Sequence, residues 1–161
     1  MWKITKKVLD KTLEALTATA MAMLVIVVAW QVITRFILNN PSSWTEELAI
    51  YMMIWVGLLG AAVALHRKAH LGIDYFVGKL NIKSRLYVEL FVYLCIAVFA
   101  ILVLFVGGSN IVLFYLSEPQ LSPALGINTA YVYLAIPISG FFIAFYSIEF
   151  FIETLMIIRK K

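Results

Sequence analysis

The chain has 161 residues, of which 63% are hydrophobic and 14% charged, with a formal net charge of +4. A water-soluble domain of this size carries about 25% charged residues, so the composition excludes one and makes lipid the solvent for most of the apolar surface. A disulfide framework is excluded too, because Cys95 is the only cysteine; it is read as a buried small hydrophobe.

Four windows are free of Asp, Glu, Lys and Arg, at 15–34, 48–65, 90–117 and 119–148. A spanning helix needs about 20 mainly apolar residues, so each window holds one. Only helices or a closed barrel satisfy the backbone in hydrocarbon, and the short alternating strands of a barrel are absent. The expected fold is all-α and integral to the membrane. A single domain, 1–161, has four transmembrane helices at about 13–38, 44–65, 84–116 and 128–158, with short interfacial amphipathic helices.

Residues 2–16 open the chain. Trp2, Leu9, Leu13 and Leu16 share one helical face and Lys3, Lys7 and Lys11 another. That pattern fits a helix lying among anionic headgroups and fits equally a simple extension of the first span. The apolar stretch is too long for a signal-peptide core, and the Ala18-Thr19-Ala20 triplet precedes it, so the first helix is expected to be retained. It ends near Asn39-Asn40-Pro41, a breaker cluster.

Ser43-Trp44-Thr45-Glu46 reads as a capping box that starts the second helix, with Ser43 as N-cap and Trp44 at the membrane interface. Gly57 with Ala61 and Gly60 with Ala64 are each four apart. Such small-residue pairs let two helix backbones approach closely in lipid, either inside the bundle or against a partner. Beyond this helix, Ile73, Phe76, Val77 and Leu80 form a helical apolar stripe, expected to lie on the membrane surface over 71–83. In the third helix Gly107-Gly108 either bends the rod or admits a neighbour. The fourth starts at Asn128 or Thr129, and Pro137 and Gly140 are candidate kink points.

Chemistry is sparse. Glu47 lies at the edge of the hydrocarbon, where an ionised carboxylate needs a partner; the alternatives are a salt bridge to another subunit, an ion site, or a favourable place at a helix N-terminus. His66, His70 and Asp74 have i, i+4, i+8 spacing. They would hold a metal only on one unbroken helix, and a turn or subunit contact is the expected role. Glu149 and Glu153 share a face near the end of the fourth helix, as a paired or solvated cluster. No charged residue falls at a helix midpoint, where transporters commonly bind substrate, and no phosphate loop or nucleophile–base set is present. The reading is of an accessory subunit, with no enzyme activity, cofactor or metal.

Twelve of the thirteen Lys and Arg residues fall on one side of this topology, with Arg35 the exception. The positive-inside rule places that side, with both termini, in the cytoplasm. The clusters flank lipid-length helices, so topology accounts for them without a nucleic-acid partner.

An ordered set of residues carries a family resemblance over about 30–75: Arg35-Phe36, then Trp44-Thr45-Glu46-Glu47-Leu48, Trp55, Gly60-Ala61-Ala62, Arg67, His70 and Asp74. The chain resembles the small membrane subunit of tripartite ATP-independent periplasmic (TRAP) transporters, the DctQ-like family. The resemblance implies a bacterial inner-membrane system. In it a large multi-span subunit holds the substrate and sodium sites, a periplasmic binding protein delivers an organic acid, and the small subunit extends the static scaffold. It implies sialic acid or C4-dicarboxylate substrates, with general likeness leaning to sialic acid. Arg35, Trp44, Glu46, Glu47, Trp55, Gly57, Gly60, Ala61, Arg67, His70 and Asp74 become candidates for the subunit contact. The outer loops, 36–47 and 118–128, are the candidates for meeting the binding protein. The basic ending Arg159-Lys160-Lys161 is read as a free C-terminus. The competing reading is a self-sufficient four-helix channel or a metal- or haem-binding electron carrier.

Overall fold

The computed structural model describes residues 2–67 and 81–159. The elements are α1 (Trp2–Phe36), α2 (Ser43–His66), α3 (Ile82–Phe99), a π-helical stretch (Ala100–Gly107), α4 (Gly108–Ser117), α5 (Ala130–Tyr133) and α6 (Ala135–Arg159). Among the described residues, four helices are long and apolar enough to cross a membrane: Lys6–Phe36, Ser43–His66, Ser84–Ser117 and Ala130–Arg159. The start of α1, the end of α2 and the last turns of α6 lie at one end of the bundle, joined by Lys6–Glu149 and Glu14–Arg67 contacts. The opposite end carries the loops after α1 and after α4.

The opening segment continues the first span: α1 is one helix of 35 residues, with no Pro or Gly to interrupt it. It stops where Asn39 takes φ 49°, a left-handed conformation that Asn tolerates. The turn brings the Asn40 N–H to the Thr34 carbonyl at 3.0 Å. The apolar stripe expected over 71–83 lies for the most part outside the described residues.

The second helix departs from its expected cap. It begins at Ser43, so the N-cap is Ser42, and no side chain caps it. The Ser-x-x-Glu spacing counted from Ser43 therefore falls inside the first turn. Counted from Ser42 it reaches Thr45, whose hydroxyl instead donates to the Ser42 carbonyl at 2.8 Å. At the fourth span the N-cap position is Thr129, which makes no side-chain cap bond; the Ala130 N–H is met instead by Asn128 Oδ1 at 2.9 Å. The regular helix is interrupted at Leu134 between α5 and α6. Pro137 explains this: it has no N–H for the carbonyl four residues back, at Tyr133.

The fourth span is the centre of the bundle. In its most apolar window 39% of residues are buried, against none in that of the first. Tyr146, Phe142, Ile143 and Phe150 pack with Leu13, Leu59, Ala62, Leu65 and Ala100. Two glycines set the approach of the third span. A Cβ on Gly140 would sit 2.7 Å from Leu104 Cβ and 2.9 Å from the Phe105 backbone nitrogen. One on Gly108 would sit 2.7 Å from Ile136 Cγ2. Cys95, expected to be buried, is exposed. It shares the outer face of α3 with Phe91, Leu94 and Val98, all exposed, because α3 turns its other face to α6.

Candidate functional site: two polar clamps and a bare helix face

Three helices meet in a polar seam at the end that holds the start of α1. Lys6, Asp10 and Glu14 are four apart, so they lie on one face of α1. Lys6 Nζ donates to Glu149 Oε1 at 2.6 Å. The hydroxyl of Tyr146, a wholly buried residue, donates to Asp10 Oδ1 at 2.7 Å. Arg67 donates to Glu14 Oε1 through Nε at 3.2 Å and Nη2 at 2.9 Å. His66 completes the seam, its ring 4.7 Å from that of Tyr146 and its Nδ1 3.7 Å from Asp10 Oδ1. The seam explains how Lys6, Asp10 and Glu14 are tolerated on the packed face where the first span begins: each of the three is paired. Glu149 thus belongs to a paired cluster. Lys6, Asp10 and Glu14 were hidden in the sequence behind the stronger lysine stripe of the same helix; their i, i+4, i+8 spacing was the available signal.

The outer of these pairs is weak. Arg67 and Glu14 are 63% and 40% exposed, and exposed pairs contribute about 0–1 kcal/mol. Replacing both with alanine is expected to change thermal stability by no more than about 1 kcal/mol. A larger loss in detergent unfolding would show that the pair is shielded from solvent.

At the other end Glu47 acts on a distant loop. Its Oε1 accepts from the Tyr51 hydroxyl at 2.6 Å. Its Oε2 accepts from the backbone N–H groups of Ala124 and Leu125, at 2.7 and 3.1 Å. Among the described residues no cation pairs with it. The loop it holds is itself ordered by Ser122 N–H to Ile127 O (2.9 Å), Thr129 N–H to Gln120 O (3.0 Å) and Gly126 N–H to Ser122 O (3.0 Å). Gly126 takes φ 66° in that turn, the conformation glycine adopts most readily. Tyr115 and Tyr133 stack below it at 4.9 Å, joining α4 to α5.

The remaining candidates divide. Trp55 packs against the core. Glu46 and Trp44 are exposed at the start of α2, and Arg35 is exposed with its guanidinium 5.7 Å from the Phe36 ring. Gly57 and Ala61 lie on an exposed face with Ile50 and Met53. A Cβ at Gly57 or Gly60 would meet no atom within 4 Å, so neither glycine serves packing among the described residues. His70 and Asp74 lie outside the described residues. Among the described residues no three His, Cys, Asp or Glu side chains form a metal-holding group.

The family model for the DctQ component of tripartite ATP-independent periplasmic transporters matches residues 24–156. The sialic acid TRAP transporter small permease protein SiaQ of Vibrio cholerae is 34% identical over 151 residues, covering 91% of this chain and 83% of that one. The C4-dicarboxylate TRAP transporter small permease protein DctQ of Rhodobacter capsulatus is 32% identical over 63% of this chain and 44% of its own length. The sialic acid TRAP transporter permease protein SiaT of Haemophilus influenzae is 31% identical over 58% of this chain, a match that takes up 16% of that much longer protein. With four apolar spans, a family match over most of its length and relatives that are transporter subunits and not enzymes, the chain belongs to the DctQ component family of TRAP transporters as a multi-pass membrane protein.

Proposed function

We propose that the chain is a non-catalytic scaffold subunit of a sodium-coupled importer in the bacterial inner membrane, with both termini in the cytoplasm. Its partners are a large multi-span membrane subunit that holds the substrate and sodium sites, and a periplasmic binding protein that delivers the substrate. The substrate is an organic acid of the sialic acid or C4-dicarboxylate class. The extended likeness to a sialic acid small permease supports the first. The match to one stretch of a longer permease supports work beside a large subunit. Family membership argues against the self-sufficient channel or electron carrier.

The observation that carries this reading is the bare face of α2. Apolar helices in lipid gain little from burial and associate through close packing, which small residues permit. Glycine inside a helix costs about 0.5–1 kcal/mol relative to alanine. Gly57 incurs that cost with no neighbour among the described residues, as a residue reserved for an outside helix would. In this reading Gly57, Gly60 and Ala61 form the close contact, with Arg35, Trp44 and Glu46 at one end of it and Arg67 at the other.

The test is Gly57→Leu in the chain coexpressed with its large subunit. The variant should accumulate and prove at least as stable as wild type, because leucine is the better helix former, while the copurified large subunit falls at least about tenfold, as a loss of 1.4 kcal/mol produces. Wild-type stoichiometry would remove this face from the contact.

A further inference from the structure

We propose that Glu47 is a positioning residue for docking of the binding protein: its carboxylate holds the hairpin over 118–129 in one preformed conformation at the loop end of α2. The inference rests on the reading that this chain works with such a protein.

The geometry gives the carboxylate a single long-range task. One oxygen is fixed to its own helix by Tyr51, and the other accepts two consecutive backbone N–H groups from a loop 77 residues away. An acid kept only to suit a helix N-terminus would need no such partner. Within itself the hairpin has one antiparallel bridge, Leu121 to Asn128, and the three main-chain bonds given above, and none of these reaches α2. Glu47 supplies the missing tie.

What the tie presents is distinctive. The segment 119–129 contains no charged residue and lies between spans that end at Ser117 and resume at Ala130. Leu121 is 67% exposed, and Pro119, Gln120 and Pro123 are exposed with it. Leu121 and Ile127 expose apolar side chains outside the spans, and such an uncharged surface fits a neutral patch on a soluble protein. Fixing it in advance lowers the ordering cost of each encounter. That matters for a delivery protein that must bind and leave repeatedly.

The experiment reconstitutes the chain with its large subunit in liposomes and measures substrate uptake while substrate-loaded binding protein is titrated. Glu47→Ala should raise the half-saturating concentration of binding protein about tenfold, a change equal to losing one modest interaction. Its maximal rate and its copurification with the large subunit should stay near wild type. Tyr51→Phe, which leaves both backbone bonds in place, should give a smaller rise. Leu121→Asp, which leaves the clasp intact and alters only that surface, should give a rise like that of Glu47→Ala. An unchanged half-saturation in Glu47→Ala, with wild type responding normally, overturns this inference alone. Loss of the large subunit from Glu47→Ala also overturns it, by making Glu47 an assembly contact. Wild-type uptake that ignores the binding protein overturns the proposed function as well.

Discussion

Replacing Gly140 with alanine is expected to destabilise the subunit by about 1–3 kcal/mol, the usual cost of overpacking a tight contact. The new methyl group would lie 2.7 Å from Leu104 Cβ, 2.9 Å from Phe105 N and 3.0 Å from the Leu104 carbonyl carbon. Two of these three atoms are backbone and cannot rotate away, so the third and fourth spans must separate. Gly57→Ala is the control with the opposite sign, because its methyl group meets nothing within 4 Å among the described residues and alanine is the better helix former by about 0.5–1 kcal/mol. Thermal unfolding of both variants of the isolated subunit in detergent reads the difference. A Gly140→Ala protein as stable as wild type would mean that the two spans are not in contact at Leu104.

Breaking the Asp10–Tyr146 bond should have an effect of similar size. Asp10→Ala leaves the hydroxyl of a fully buried tyrosine without its acceptor, a loss of about 1–3 kcal/mol. Tyr146→Phe removes the hydrogen-bond donor from Asp10 and leaves its carboxylate facing His66 Nδ1 at 3.7 Å, too long for a hydrogen bond. The double variant removes both groups, so its loss should be smaller than the sum of the two single losses. A coupling of about 0.5–3 kcal/mol is typical of residues in contact. Denaturant unfolding of the four proteins measures it. Strict additivity would show that the hydroxyl and the carboxylate do not meet.

The four spans are legible in the sequence because lipid demands long uncharged runs, and the runs at 15–34, 48–65, 90–117 and 119–148 stand out by charge alone. The glycines were legible as small residues but not as contacts. Nothing local distinguishes Gly140, pressed on a neighbouring backbone, from Gly57, which faces open space. That difference depends on how far each helix is rotated about its axis, and the fourth span has no charged residue before Glu149 to mark a face. The cap of α2 was misread by one residue because Ser42 and Ser43 are equally good cap residues, and Thr45 rather than Glu46 turns back to the chain. Glu47 was visible as a carboxylate in need of a partner. The partner itself was not, since backbone N–H groups at Ala124 and Leu125 carry no signature in the residue types. The seam of Lys6, Asp10 and Glu14 combines both problems. Its spacing was present, but Tyr146 is an uncharged residue 136 positions away.

The scaffold proposed above is expected to do nothing alone. The most direct test is to purify it from its native membrane in mild detergent and to identify and quantify what accompanies it. A large multi-span membrane protein in one-to-one ratio is the predicted result. A homogeneous oligomer of this chain by itself would contradict the account.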